Sequence, residues 1–514
     1  HTVRHSFPTR RSSDLTAKRA DGSTLCVAAK GGFGYANNAT IDGNGVFEPR
    51  FSFNYNFDTE RMTQLRGGAG LFISNAPTVW LSNSFGGTGI KVITYNVTDD
   101  KRTAPGTTLT VGGVSFPKPT PSYDPLNPAI PGSGPQVLGQ GAGAMAVDTV
   151  DPNFKMPTVA KFSIGIDHEL PWFGLIGTAE YEYLDTINGL FYKNLNLGAP
   201  TGVGPDGRSL YWADNAKFTG NTSQKNTAFG TVTELTNTKQ GKASNLTLSL
   251  KKPFADNWEA SFGLAFNRAT DVNPGTSSVA NSNINGNTWV NPNSDVASTS
   301  NYEVPRRVLA SLTWQHKFFG DYATSISGFF DGHSGAPYSW VYGNDVNGDS
   351  YSRDLAFIPA SIDDVKWASA VTETMKQQFM DYVAGDNYLK KRQGEIAKRN
   401  GARAPWLNQI DLSFRQEIPG LFESNRGEVR FDFFNIGNLF NKKWGVEHRA
   451  AFPLTRSLAN VTGIDPTTGK YIYDISGSAY KDAGGNYHPA DLPVNETLSP
   501  SQRWSVLMTV KYTF

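Results

Sequence analysis

From residue 50 onward, apolar side chains recur at every second position in short runs, and the runs come in pairs joined by a few turn-forming residues. Phe51, Phe53, Tyr55 and Phe57 alternate with Ser52, Asn54 and Asn56, and a short turn leads to a second run over residues 65–73. A period of two is the signature of a strand with unlike faces. The next pair sets Phe162, Ile164 and Ile166 before a turn at residues 169–173, with Leu175, Ala179, Tyr181 and Tyr183 after it. Leu246, Leu248 and Leu250 are followed in the same way by Trp258, Ala260, Phe262, Leu264 and Phe266. Val308, Ala310, Leu312 and Trp314 precede Tyr322, Ile326 and Phe330, and Ile410, Leu412 and Phe414 precede Val429, Phe431 and Phe433. A last strand stands alone: Trp504, Val506, Met508, Val510, Tyr512 and Phe514 share one face, opposed by Ser505, Thr509, Lys511 and Thr513, with Leu507 out of phase.

The links within pairs are short, whereas the segments near 74–158, 184–243, 267–305, 332–407 and 437–502 are long and rich in Gly, Asn, Ser and Pro. Five long structureless loops count against a compact soluble domain. Short turns at one rim and long loops at the other are instead the asymmetry of an outer-membrane barrel, whose apolar faces meet lipid and whose interfaces carry aromatics. The expected fold class is therefore all-β, an antiparallel transmembrane β-barrel with long extracellular loops in a bacterial outer membrane. Counted back from Phe514, the last strand ends on the periplasmic side and every earlier pair keeps that phase. Residues 362–399, with few Gly or Pro and many Lys, Glu, Gln and Ala, predict a helical stretch in one loop.

Composition fits this pattern. The chain is 38% hydrophobic and 12% aromatic with 52 glycines, and its mean hydropathy of -0.39 is too polar for helical spans. A net charge of +1 argues against a nucleic-acid partner. One cysteine, Cys26, excludes a disulfide framework. Residues 1–15, basic and serine-rich with no apolar stretch, do not form a secretory signal. They read as a translated sequencing adapter, leaving 16–514 as the barrel portion, a C-terminal fragment.

Candidate chemistry is sparse. Asp345, Asn347 and Asp349 are spaced like the start of a calcium loop, but glycine stands at the fourth position (Gly348) and alanine at the twelfth (Ala356), where an EF-hand needs glycine at the sixth and glutamate at the twelfth. An Asx-rich turn competes as the explanation. Lys390, Lys391, Arg392, Lys398, Arg399 and Arg403 form a basic cluster suited to an anionic ligand or lipopolysaccharide phosphate, or to a solvated helix face. Trp80, Trp212, Trp289, Trp340 and Tyr342 offer rings for stacking on a ligand or for packing at a barrel rim. His168, His316, His333, His448 and His488 are scattered without ligand spacing, and Gly139 to Gly143 lacks the last glycine of a dinucleotide loop. No enzyme activity, cofactor or catalytic residue is expected.

Several segments in order resemble the TonB-dependent receptor family, and within it the Oar-like receptors that carry a carboxypeptidase-regulatory-like domain. The likeness rests on Pro49-Arg-Phe-Ser-Phe-Asn-Tyr55, Leu65-Arg-Gly-Gly-Ala-Gly-Leu-Phe72, Thr78-Val-Trp-Leu-Ser-Asn83, Ser334-Gly-Ala-Pro-Tyr-Ser339, Asp354-Leu-Ala-Phe-Ile-Pro359, Arg399-Asn-Gly-Ala-Arg-Ala-Pro-Trp406, Phe431-Asp-Phe-Phe-Asn-Ile-Gly-Asn438 and the terminal strand. The resemblance implies uptake of an unidentified ligand across the outer membrane. It also implies contact with the TonB complex through an N-terminal region that has no counterpart here. The terminal strand, Trp504 to Phe514, would serve as the signal read by the barrel-insertion machinery. The roughly eleven strands predicted from the sequence are half of the about 22 in a plugged transporter. A passive porin and a soluble adhesion or glycan-binding module are the alternatives.

Overall fold

A computed structural model of the chain describes residues 47–74, 79–86, 108–111, 114–117 and 145–514, save 221, 228, 423, 424 and 494–501, together with positions 33, 35, 41, 43 and 45. Residues 1–15, Cys26 and the 139–143 segment lie outside the described residues.

Eleven strands build one continuous wall: β1 (Arg50–Phe57), β2 (Thr63–Ile73), β3 (Thr158–Glu169), β4 (Ile176–Asn194), β5 (Lys242–Ala255), β6 (Trp258–Asp271), β7 (Arg306–Phe319), β8 (Tyr322–His333), β9 (Leu407–Pro419), β10 (Arg426–Phe434) and β11 (Ser505–Thr513). Each pairs antiparallel with the next. These are the five pairs and the closing strand of the sequence pattern. The turns within pairs are tight for visible reasons. Between β5 and β6, Ala255 pairs with Trp258 across Asp256 and Asn257, both at positive φ (55° and 69°). That is the two-residue turn whose twist matches a hairpin. Just before it, Lys252 is fully buried, its Nζ donating to the carbonyls of Ala255 and Trp258 at 2.7 and 3.1 Å.

Register settles the two faces. One row of directly paired residues runs Tyr55, Leu65, Ile166, Ala179, Leu248, Leu264 and Val308. Another runs Trp314, Ile326, Phe414, Phe431 and Met508. This face is apolar and uncovered: Phe51 is 68% exposed, Leu312 53%, Met508 56% and Val510 66%. Water would penalise so large an apolar surface, whereas hydrocarbon accepts it. The opposite face is laced with ion pairs, Arg66 with Asp167 (3.0 Å) and Glu180 (2.8 Å), Arg307 with Asp331 (2.7 Å), and Arg415 with Glu428 (2.9 Å). Leu507, the residue out of phase in the sequence, pairs with Asp432 on this polar face. Among the described residues no helix is long and apolar enough to cross a membrane. Strands β1 and β11 end the sheet, and the described wall is not closed. Because every pairing is antiparallel, these two edge strands run in the same direction.

The long connections are not structureless, which corrects the expectation from composition. Short strands from two of them, Pro337–Tyr342 and Thr455–Ile464 with Lys366–Trp367, Ala402–Arg403 and Tyr471–Asp474, form a second sheet of five strands. Its side chains contribute to a hydrophobic core containing Trp340, Tyr342, Ile358, Phe379, Leu458 and Tyr473. The helix expected within residues 362–399 spans Glu373–Gly385. Thr372 caps its start by accepting from the Met375 N–H, and Met375, Phe379 and Val383 face the core at a spacing of four.

A candidate binding cap at the long-loop end

Three of the long connections meet at one buried cation. Asp206 and Arg208 come from the loop after β4, Asp354 and Leu355 from the loop after β8, and Tyr471 from the loop after β10. Arg208 is inaccessible to solvent. Its Nη2 lies 2.7 Å from Asp206 Oδ2 and donates to the Leu355 carbonyl at 2.5 Å. Its guanidinium sits 5.1 Å above the Tyr342 ring, and Tyr471 donates its hydroxyl to Asp206 at 2.8 Å. Burial works against the arginine's charge, but Tyr342, Asp206 and Asp354 outweigh it and hold the group protonated. Tyr342 in turn is pushed up to about 12, chiefly by burial.

The Asp345–Asp354 loop packs onto this cation as a chain of Asx turns. Asp345 accepts from the Gly348 and Ser350 N–H groups (2.7 and 2.8 Å), Asn347 from Asp349 N–H (2.8 Å), and Asp349 from Tyr351 N–H (2.9 Å). Asp354 accepts from Val346 and Asn347 N–H. Burial and then Asp345 push the Asp349 carboxyl up to about 7, and burial and then Asp349 push Asp354 well above the usual carboxylate range. Among the described residues no group of three or more His, Cys, Asp or Glu side chains is arranged to hold a metal ion.

The aromatic candidates are placed in packing. Trp340 and Tyr342 are fully buried. Arg456 lies 4.5 Å over the Trp340 ring, and Tyr342 shares a hydroxyl contact with Tyr473 at 3.1 Å. Trp212 donates to the Val346 carbonyl and Trp289 to Asp349 Oδ2, at 3.0 and 3.1 Å. Trp80 lies in the helix Val79–Gly86, and its side chain is outside what is described.

The basic cluster divides. Arg399 is buried and clasps the loop after β6, donating to Asp271, to the Val272 carbonyl and to Asn287. Arg403 pairs with Glu303. Lys390 bonds Asn387, and Lys398 is exposed. Lys391, Arg392 and Arg403 converge on one open cleft of about 620 Å³ beside Tyr338 and Tyr388. The central role of Arg208 had no signal in sequence, since its neighbours there, Gly207 and Ser209, belong to no recognisable motif and its partners are brought by other loops. Trp504, Val506, Met508, Val510 and Tyr512 lie in or beside β11 on the apolar face, and Phe514 at its end is 96% exposed.

The sequence model of a family described as outer membrane beta barrel domain matches residues 6–443. Two solved structures are similar over most of this chain. The outer membrane transporter YddB from Escherichia coli is 8% identical, with 80% of this chain and 37% of that one covered and a TM-score of 0.36. A mutant of the ferric enterobactin receptor PfeA from Pseudomonas aeruginosa is 13% identical, with 83% and 38% covered and a TM-score of 0.34. The chain thus spans well under half the length of either. No curated protein sequence matches it.

Proposed function

We propose, for a chain that belongs to the outer membrane beta barrel domain family, that it is part of the wall and outer cap of a TonB-dependent, Oar-like receptor that binds a ligand outside and moves it across the outer membrane. The observation that carries this reading is the cap. A passive pore works with an open mouth, whereas here three loops share one hydrophobic core and one buried ion-pair network. Loops so interlocked suit selective capture and gated entry better than free diffusion. We read no catalytic role into the chain.

Wall geometry bears on what completes the barrel. Open strand edges leave N–H and C=O groups unpaired in hydrocarbon, so the edges of β1 and β11 need partners. A second copy in the same membrane orientation would bring its β1 alongside β11 running in the same direction, a parallel pair. All-antiparallel closure takes an odd number of further strands, which we assign to a region of the same polypeptide preceding β1, along with a plug and a TonB-contacting segment. The terminal strand is our candidate for the barrel-insertion signal.

The test is transport by the protein of the intact gene in cells. Uptake is expected to stop when TonB or the proton gradient is removed. Flux that persists without TonB would replace this reading with a porin.

A further inference from the structure

We propose that the cleft between residues 386–392, which follow the Glu373–Gly385 helix, and the paired strands Pro337–Tyr342 and Ala402–Arg403 is a binding site for a small anion with clustered charge, a phosphate or a polycarboxylate. The proposal rests on the preceding reading only in placing the cap on the outer side; the binding itself is independent of transport.

The cleft has a cavity volume of about 620 Å³, within the range of small-molecule sites. Lys391, Arg392 and Arg403 line it against a single carboxylate, Asp386. That carboxylate is partly engaged, since one oxygen already accepts from the Tyr388 and Leu389 N–H groups at 2.8 and 2.9 Å. The two arginines are each held by an acid that does not line the cleft. Arg392 uses Nη1 on Glu395 at 2.7 Å, and Arg403 uses its terminal nitrogens on Glu303. Each guanidinium carries five N–H donors, so such anchoring fixes the fork in place and leaves donors for a ligand. Lys391 is exposed and makes no ion pair among the described residues, so it supplies the uncommitted charge. Tyr338 is buried beside the cleft and is braced by Arg456, whose guanidinium lies 5.7 Å from its ring. Gly401 lets the Tyr388 ring pack against the backbone at the cleft, since a Cβ there would stand 2.5 Å from the Tyr388 hydroxyl. A donor-lined hollow on a braced frame binds an oxyanion through charge-assisted hydrogen bonds and has little to offer a cation or an apolar solute.

Isothermal titration of the full chain in detergent micelles, with inorganic pyrophosphate in one arm and citrate in the other, tests this. Saturable binding of one equivalent is expected in at least one arm, and which arm responds names the ligand chemistry. Lys391→Gln and Arg392→Gln should each weaken binding at least tenfold. Lys366→Gln, which removes an exposed charge elsewhere in the cap, should change it less than twofold. Absence of saturable binding in both arms would overturn the proposal. So would equal weakening by all three variants, which indicates nonspecific charge attraction. Loss of TonB-dependent uptake in the preceding test would leave this result untouched.

Discussion

Arg208 Nη1 faces Asp354 Oδ1 at 3.6 Å inside the cap, and neither atom has a hydrogen-bond partner. Both side chains are fully enclosed, so their attraction acts in a low-dielectric setting with no solvent to replace either one. Removing the cation leaves Asp206 and Asp354 buried with hydrogen-bond donors but no counter-charge. Arg208→Met is expected to destabilise the cap by about 3 to 5 kcal/mol. Amide exchange on the full chain in micelles should show faster opening over the loops after β4, β8 and β10, with the wall unchanged. Adding Asp206→Asn and Asp354→Asn to it should restore part of the loss.

The same region gives the cap an inverted pH response. A carboxyl raised to about 7 in the folded cap against about 3.9 in an unfolded chain binds more protons when folded. Its stabilising contribution is complete below about pH 4 and is lost as pH rises to about 7, the folded value. Cap amides are therefore expected to exchange faster at pH 7.5 than at pH 5 once intrinsic exchange rates are divided out. Asp349→Asn should flatten that dependence, and a slope of opposite sign would reject the assignment.

Adjacent residues of β11 separate lipid from lumen. Met508 pairs with Phe431 on the apolar face and Thr509 with Arg430 on the polar one. Met508→Arg should cost about 2 to 4 kcal/mol at mid-bilayer depth and Thr509→Arg much less, measured by folding of the protein into bilayers. Deleting Phe514 should lower outer-membrane levels if the terminal strand is an insertion signal.

Sidedness follows from the two kinds of connection. With Cys26 replaced by serine, a cysteine at Thr467, exposed in the cap, should react with an impermeant thiol reagent on intact cells. Cysteines at Asp256 or Asp321, exposed in short turns, should react only after the outer membrane is opened. Asn347 is unsuited to such a label, being fully buried.

How much of this was legible in sequence depends on how local each contact is. The wall was, because alternation is a property of neighbours: Trp258 to Phe266 shows its face without reference to any other strand, and its partner lies across a two-residue turn. The Glu373–Gly385 helix was legible from local composition, few Gly or Pro among many helix formers, though it fills only part of the 362–399 stretch that composition marked. The cap was not. Its strands are as short as Lys366–Trp367, and its core joins Tyr342 to Tyr471 and Arg208 to Leu355, pairs more than a hundred residues apart in the chain. The basic cluster was visible as composition, yet nothing in sequence told Arg399, which clasps Asp271, from Lys391, which faces the open cleft.

Strand β4 is 19 residues long, nearly twice the roughly 10 needed to cross a bilayer. Its lower part pairs with β5 and its upper part, from Gly189 to Asn194, with the strand Phe229–Thr238 of its own following loop, which extends the same sheet as the wall. The strand therefore carries the chain from the wall into the loop end, with a register shift at Ile187 marking the place where it changes partner. A bulge at such a junction bends the strand and raises its local twist, so the direction in which this loop leaves the wall is set within about one or two residues of Ile187.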